Sequence, residues 1–226
     1  LDAIGDGVSP PRAPLNLLAD FGGGALYLAF GIVSALYERT RSDQGQIIDA
    51  AIIDGAASLM GMMVGATRTG SLAREPNANI LSGAAPFYRT YRCADGRYIA
   101  IGAIEPQFYT RFIEAMELQA FAHHKQRDPG HWPQMCAALE KKFATHPLED
   151  WLNRLAPLDA CINAVLPMEA AFTDPHLTAR QVFIELDGAP QPAPAPRLSR
   201  TPGAIQGAMA KPGEGGRDAL KRWGVS

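Results

Sequence analysis

Leu15-Asn16-Leu17-Leu18-Ala19-Asp20-Phe21-Gly22-Gly23-Gly24 decides how the rest of the chain is read. It sets one carboxylate after a short apolar run and directly before three glycines. An apolar segment, Ala25 to Tyr37, follows at once. Glycine lets a backbone take positive φ and approach a ligand closely. The first turn of a helix carries unpaired N–H groups and a partial positive charge. The pattern predicts an extended run, a tight glycine turn at Gly22, Gly23 and Gly24, and then a buried helix. Asp20 would stand beside that turn, where a substrate carbonyl could sit. A helix cap is the plainer role for the same residue.

Outward from this stretch, Ala25 to Arg41 is apolar nearly all round, which predicts burial. It closes on Glu38, Arg39 and Arg41, with cations suited to a helix C-terminus. Gln46 to Ile52 is short, β-branched and apolar, as a buried strand is. Asp54 opens a second apolar helix, Gly55 to Thr67, whose Gly55, Gly61 and Gly65 predict that another element packs closely on it. A membrane span is disfavoured there, because the run falls short of the ~20 apolar residues a span needs and Asp54 and Arg68 bracket it. Further on, Phe87 to Cys93 and Arg97 to Gly102 flank Ala94-Asp95-Gly96, a strong hairpin signal.

Glu105-Pro106 opens a helix to Met116, with Pro near its first position. Trp132 to Ala144 and Leu148 to Leu155 read as amphipathic helices, with a polar loop, His123 to Gly130, before them. Cys161 to Leu166 and Val182 to Leu186 read as strands, and Asp174-Pro175 caps a short helix between them. Gly188 to Pro196 reads as a proline-rich linker, and Arg217 to Trp223 as a last helix. The expected fold class is a mixture of α/β and α+β. The expected domains are residues 1–82, part of a larger domain; residues 83–188, a small α+β domain; and residues 189–226, a linker and a tail returning to the larger part.

Composition narrows the function. The 226 residues are 47% hydrophobic and 19% charged, which is ordinary for a globular protein. A net charge of −2 leaves no nucleic-acid footprint. Three scattered cysteines, Cys93, Cys136 and Cys161, suit neither a disulfide framework nor a zinc site, and a reducing, cytoplasmic setting fits them best. The chain opens on Leu1 without the shape of a signal peptide, and Leu1 to Pro14 reads as a mid-protein connector. The expectation is the C-terminal part of a longer chain.

Four segments together resemble a known family. They are Leu15 to Gly24, Gly45-Gln46-Ile47-Ile48-Asp49-Ala50-Ala51, Ala85-Pro86-Phe87-Tyr88-Arg89-Thr90-Tyr91 and Gly102-Ala103-Ile104-Glu105-Pro106-Gln107-Phe108-Tyr109. They look like the α-methylacyl-CoA racemases, within the family III CoA-transferase superfamily, and the resemblance runs from Leu1 to about Arg200. Asp20-Phe21-Gly22 alone would also suit a protein kinase, but no catalytic loop or glycine-rich phosphate loop accompanies it.

The resemblance implies inversion of the carbon α to an acyl-CoA thioester. One base removes the α-proton, an enolate forms, and an acid on the other face returns a proton. Matched residue by residue, it assigns the catalytic Asp to Asp20 and the Glu that supports a catalytic His to Glu105. It implies an interlocked homodimer, no membrane partner, and no cofactor or metal beyond the acyl-CoA substrate.

The family's His lies in a Gly-His-Asp segment upstream of the position of Leu15, outside these residues. His123, His124, His131, His146 and His176 fall in later loops and helix starts, where capping or solvent contact is expected. Ser82 departs from the family, which carries an acid there. Asp49, Asp54 and Asp95 read as structural acids. Two alternatives stand beside the racemase: a CoA-transferase in which Asp20 is a nucleophile, and a non-catalytic chain that pairs with a partner.

Overall fold

The computed structural model describes residues 2–73, 75–122, 126–207 and 210–225. The chain divides into two compact units, Leu1–Val165 and Leu166–Ser226. The sequence reading places its divisions at Ser82 and Gly188 instead.

In the first unit the chain begins with a helical segment, Leu17–Ala25, that runs directly into α1, Leu26–Ser42. Its backbone is π-helical: Phe21 N–H donates to the Asn16 carbonyl and Leu26 N–H to that of Phe21, each five residues back. The glycine stretch is therefore helix, and the expected tight turn is corrected. None of the three glycines has positive φ. What they supply is closeness to α2, Ile52–Leu59. A Cβ on Gly23 would lie 2.8 Å from the Ala56 nitrogen, and one on Gly55 would lie 1.8 Å from the Gly23 oxygen.

α1 has the expected extent but not the expected burial. Phe30 is 74% exposed and Tyr37 68% exposed, and no residue of the helix is buried. Apolar sequence reports that a surface is to be covered, not which element covers it. Leu17–Ser42 together is a helix of 26 residues whose most apolar 18-residue window has a mean hydropathy of 1.5, long and apolar enough to cross a membrane by length and composition.

The strand expected at Gln46 to Ile52 does not form. Residues 43–51 pair with no strand among the described residues, Ile47 is fully exposed, and α2 already begins at Ile52. The β-branched run instead lays Ile48 near α1 at Gly31. The second apolar helix breaks at Met60 into α2 and α3, Gly61–Arg68. Close packing holds at Gly55, but nothing approaches within 4 Å of a Cβ on Gly61 or Gly65.

The Asp-Gly hairpin forms as read. β1, Tyr88–Arg92, pairs antiparallel with β2, Tyr98–Gly102, with Tyr91 opposite Ile99; β3, Ile162–Ala164, pairs with the other edge of β2. Gly96 takes φ +82°, which the turn requires. The Asp95 carboxylate accepts from the Arg97 N–H and side chain and from Leu148 N–H, so it also holds the start of the helix that Leu148 opens. α4, Pro106–Ala115, α5, Trp132–Phe143, and α6, Leu148–Leu155, cover the sheet.

Their apolar faces enclose Phe87, Tyr91, Ile99, Tyr109, Phe112, Leu139 and Phe143 in one core. Each such side chain contributes roughly 1.5–3 kcal/mol by leaving water. Tyr91 stacks on Phe143 at 5.0 Å, and Phe143 meets Trp151 edge-on at 5.1 Å.

The second unit holds α7, Met168–Ala171, α8, Pro175–Ala179, a hairpin and α9, Gly216–Arg222. β4, Phe183–Leu186, pairs with β5, Ala189–Pro192, around Asp187-Gly188, both at positive φ. The expected linker is thus partly a strand. Proline hides that signal, yet an edge strand tolerates residues without an N–H.

Candidate active site

Asp20 lies within the π-helical segment, exposed, and its carboxylate has no hydrogen-bond partner among the described residues. The capping role has the carboxylate accept from a backbone N–H, and it accepts from none among the described residues. The glycines after it turn inward: Gly23 and Gly24 are buried against α2. Their geometry is explained by helix packing, which fixes the segment that carries Asp20. The pairing of an acid with the positive end of the helix remains available to it.

A cavity of about 420 Å³ lies beside this segment. Leu18, two residues before Asp20, forms part of its wall, with Ala56, Leu59 and Met60 of α2 and its end, and Met63 and Val64 of α3. Leu72, Ala73, Pro76, Asn79, Leu81 and Ser82 also line it, and the lining is largely apolar. Asn79 ties back to Ala73. Its Oδ1 accepts from Ala73 N–H at 2.7 Å and its Nδ2 donates to the Ala73 carbonyl at 3.1 Å.

Ser82 Oγ accepts from Asn79 N–H at 3.1 Å and donates to the Asn79 carbonyl at 2.9 Å. The serine thus holds a one-turn helix, Ile80–Ser82, by a reciprocal cap. An acid in its place could accept from the N–H but could not donate when ionised.

Glu105 precedes α4 as its N-terminal flanking residue, with extended backbone and an exposed side chain that makes no capping bond. Its carbonyl accepts from Phe108 and Tyr109 N–H and so starts the helix. The segment before it is held by Gln126, whose Nε2 donates to the Ala103 carbonyl at 3.3 Å and to that of Ile104 at 2.8 Å. Burial pushes the Cys161 thiol above its ordinary value, and the nearby charges of Glu105 and Asp159 push it further. No hydrogen bond or ion pair joins Asp20 to Glu105 among the described residues.

The histidines take the local roles the sequence suggests where they are described. His131 Nδ1 bonds Asp128 at 2.7 Å, His146 Nδ1 bonds Thr145 at 2.7 Å, and His176 is exposed on α8. His123 and His124 lie outside the described residues. Among the described residues no group of three His, Cys, Asp or Glu side chains could hold a metal ion. The residue that sequence reasoning missed is Gln126. A lone glutamine in a polar loop carries no periodic signal, and only its burial sets it apart.

The chain is 41% identical to the α-methylacyl-CoA racemase of Mus musculus and 40% identical to that of Homo sapiens. Both alignments cover 100% of the chain and 60% of the relative, so the chain spans about 60% of the length of these proteins. Its fold is that of a CAIB/BAIF family protein from Brucella suis, with a TM-score of 0.76 at 23% identity, over 98% of this chain and 59% of that one. The profile of CoA-transferase family III matches residues 2–216, and the chain belongs to that family.

Proposed function

We propose that this chain supplies Asp20 and Glu105 to a 2-methylacyl-CoA racemase or epimerase, an isomerase. The observation that carries the reading is the 41% identity to a racemase over the whole chain. The exposed carboxylate of Asp20, without a hydrogen-bond partner among the described residues, supports it. The apolar cavity whose wall includes Leu18 suits the acyl chain of a CoA thioester. Asp20 takes the α-proton, and the electron pair of the broken C–H bond moves into the thioester carbonyl to form an enolate. An imidazole on the opposite face donates a proton to the same carbon. Glu105 orients that imidazole and supports its charge. The imidazole belongs to the family's Gly-His-Asp segment, which does not occur in these 226 residues. The reaction needs no cofactor or metal beyond the CoA ester.

The wider assembly follows the same reading. Residues 1–82 are part of a larger catalytic domain, residues 83–188 a small domain, and residues 189–226 a returning tail. A homodimer covers the apolar exposed side chains of α1, which an isolated chain would leave as a liability. A bilayer is the poorer occupant, because the glycine side of the Leu17–Ser42 helix already packs on α2. Three free cysteines suit a cytoplasmic protein.

The test is deuterium wash-in at the α-carbon of 2-methylacyl-CoA in heavy water, read by mass spectrometry on the protein that carries this chain. Asp20→Asn keeps the shape but cannot accept the proton, and exchange falls about 10²- to 10⁴-fold. Unchanged exchange refutes the reading. The family description favours one second reading, CoA transfer through an aspartyl-CoA thioester on Asp20. Hydroxylamine trapping at Asp20 after addition of acyl-CoA would select it.

A further inference from the structure

Glu105 has no side-chain hydrogen bond among the described residues, so its carboxylate stands where its main chain puts it. β2 ends at Gly102, and the sheet register stops there. The next two residues are held on one side only: Ala103 N–H donates to the Phe87 carbonyl and Ile104 N–H to that of Gly102, both at 2.9 Å. Their carbonyls lie beyond the ladder and are taken by the Gln126 amide, at 3.3 and 2.8 Å. Gln126 is 3% exposed, and it is the one buried polar residue among those described.

Gln126 is itself anchored. Trp132 Nε1 donates to its carbonyl at 2.9 Å, and the Trp132 ring meets Phe87 edge-on at 6.1 Å. Phe87 meets Tyr109 at 5.5 Å, and Tyr109 N–H donates to the Glu105 carbonyl at 3.0 Å. The contacts close a ring around the Glu105 main chain, and the amide of Gln126 is the link that two carbonyls require. A donor is needed there: a carboxylate would face two acceptors, and an apolar side chain would leave both carbonyls without a partner.

We infer that Gln126 is the positioning residue for the Glu105 carboxylate. The inference rests on the racemase reading of Glu105. Gln126 touches no substrate; it sets where the Glu105 side chain begins. Placement errors of this kind act on the rate of the chemical step more than on binding.

The experiment uses the protein that carries this chain and the same α-proton exchange of 2-methylacyl-CoA. Gln126→Met keeps the volume and removes the donor. It lowers kcat about five- to tenfold, the worth of one to two hydrogen bonds, and leaves KM within about twofold. In a Glu105→Gln background, which by itself lowers exchange, Gln126→Met adds no further loss. An unchanged kcat in Gln126→Met, with Glu105→Gln impaired, overturns the inference alone. So does a full additional loss in the double variant, which would show a general weakening of the fold. If Glu105→Gln exchanges at the unmodified rate, the role given to Glu105 falls and the inference with it. Should Gln126→Met fail to fold, Trp132→Phe asks the same question, because it releases the Gln126 carbonyl and keeps an aromatic ring in place. It lowers kcat by a smaller factor, again without effect in the Glu105→Gln background; an additive loss overturns the inference.

Discussion

Gly55→Ala is the sharpest test of how the Asp20 segment is held. The added Cβ would lie 1.8 Å from the Gly23 oxygen, 2.6 Å from its carbonyl carbon and 2.9 Å from its Cα. Every one of these atoms is backbone, so no rotamer change relieves the clash. Carbon meets carbonyl oxygen comfortably at about 3.3 Å, so the helix Leu17–Ala25 and α2 must part by about 1.5 Å. Overpacking costs roughly 1–3 kcal/mol even where side chains can shift. The better helix propensity of alanine returns at most about 1 kcal/mol. A net loss of about 2 kcal/mol is expected.

Gly65→Ala is the internal control. It lies in α3 with nothing within 4 Å of the new methyl group. There alanine stabilises by about 0.5–1 kcal/mol. Urea titrations followed by circular dichroism should separate the two variants by nearly 3 kcal/mol on this arithmetic. Gly55→Ala should also depress α-proton exchange, because Asp20 sits three residues from Gly23 on the displaced segment. Two variants with the same midpoint would refute the close helix contact, and with it the account of the glycine triplet.

Two further outcomes follow from charge. Burial pushes the Asp95 carboxyl up, but its bonds from the Arg97 side chain and from Leu148 and Arg97 N–H outweigh this and leave it below its ordinary 3.8. A depressed folded value means that the unfolded chain binds the proton more readily, so this stabilisation is whole above about pH 3.8 and is lost as pH falls through the folded value. Asp95→Asn should lower stability at pH 7 and flatten the acid limb, measured by urea midpoints at descending pH; an unchanged limb would count against it. At Cys161, Glu105→Gln removes one of the two charges that raise the thiol. Iodoacetamide should then alkylate Cys161 faster relative to Cys93 at pH 8, and an unchanged ratio would place the Glu105 carboxylate elsewhere.

Local signals were legible where one residue type answers one geometric demand. Asp95-Gly96 predicts the β1–β2 turn because a positive φ there calls for glycine. Pro106 after Glu105 predicts the start of α4 because a first-turn N–H needs no partner. Long-range demands were not legible. Gln46 to Ile52 has the composition of a strand, but a strand exists only with a neighbour to pair with, and none of the described residues offers one. Pro190 and Pro192 argue against the strand they occupy, because composition does not tell an edge from a centre. Gln126 is invisible for the same reason, since its meaning lies in two carbonyls more than twenty residues away in sequence.

The glycine triplet joins both kinds of signal. Read locally, three glycines after an acid promise a backbone free to turn and to approach a ligand. In the fold their freedom goes to contact: Gly23 meets Ala56 and Gly55, and Gly24 meets Ile52. Missing side chains on one face let α2 press against the main chain, and the segment answers with hydrogen bonds that reach back five residues instead of four. Such π-helical turns are rare and gather at functional sites. The same packing is what holds the helix that carries Asp20. Its carboxylate has no partner among the described residues, and on the proposed reading a base that must accept a proton from substrate cannot already be spent on a cap.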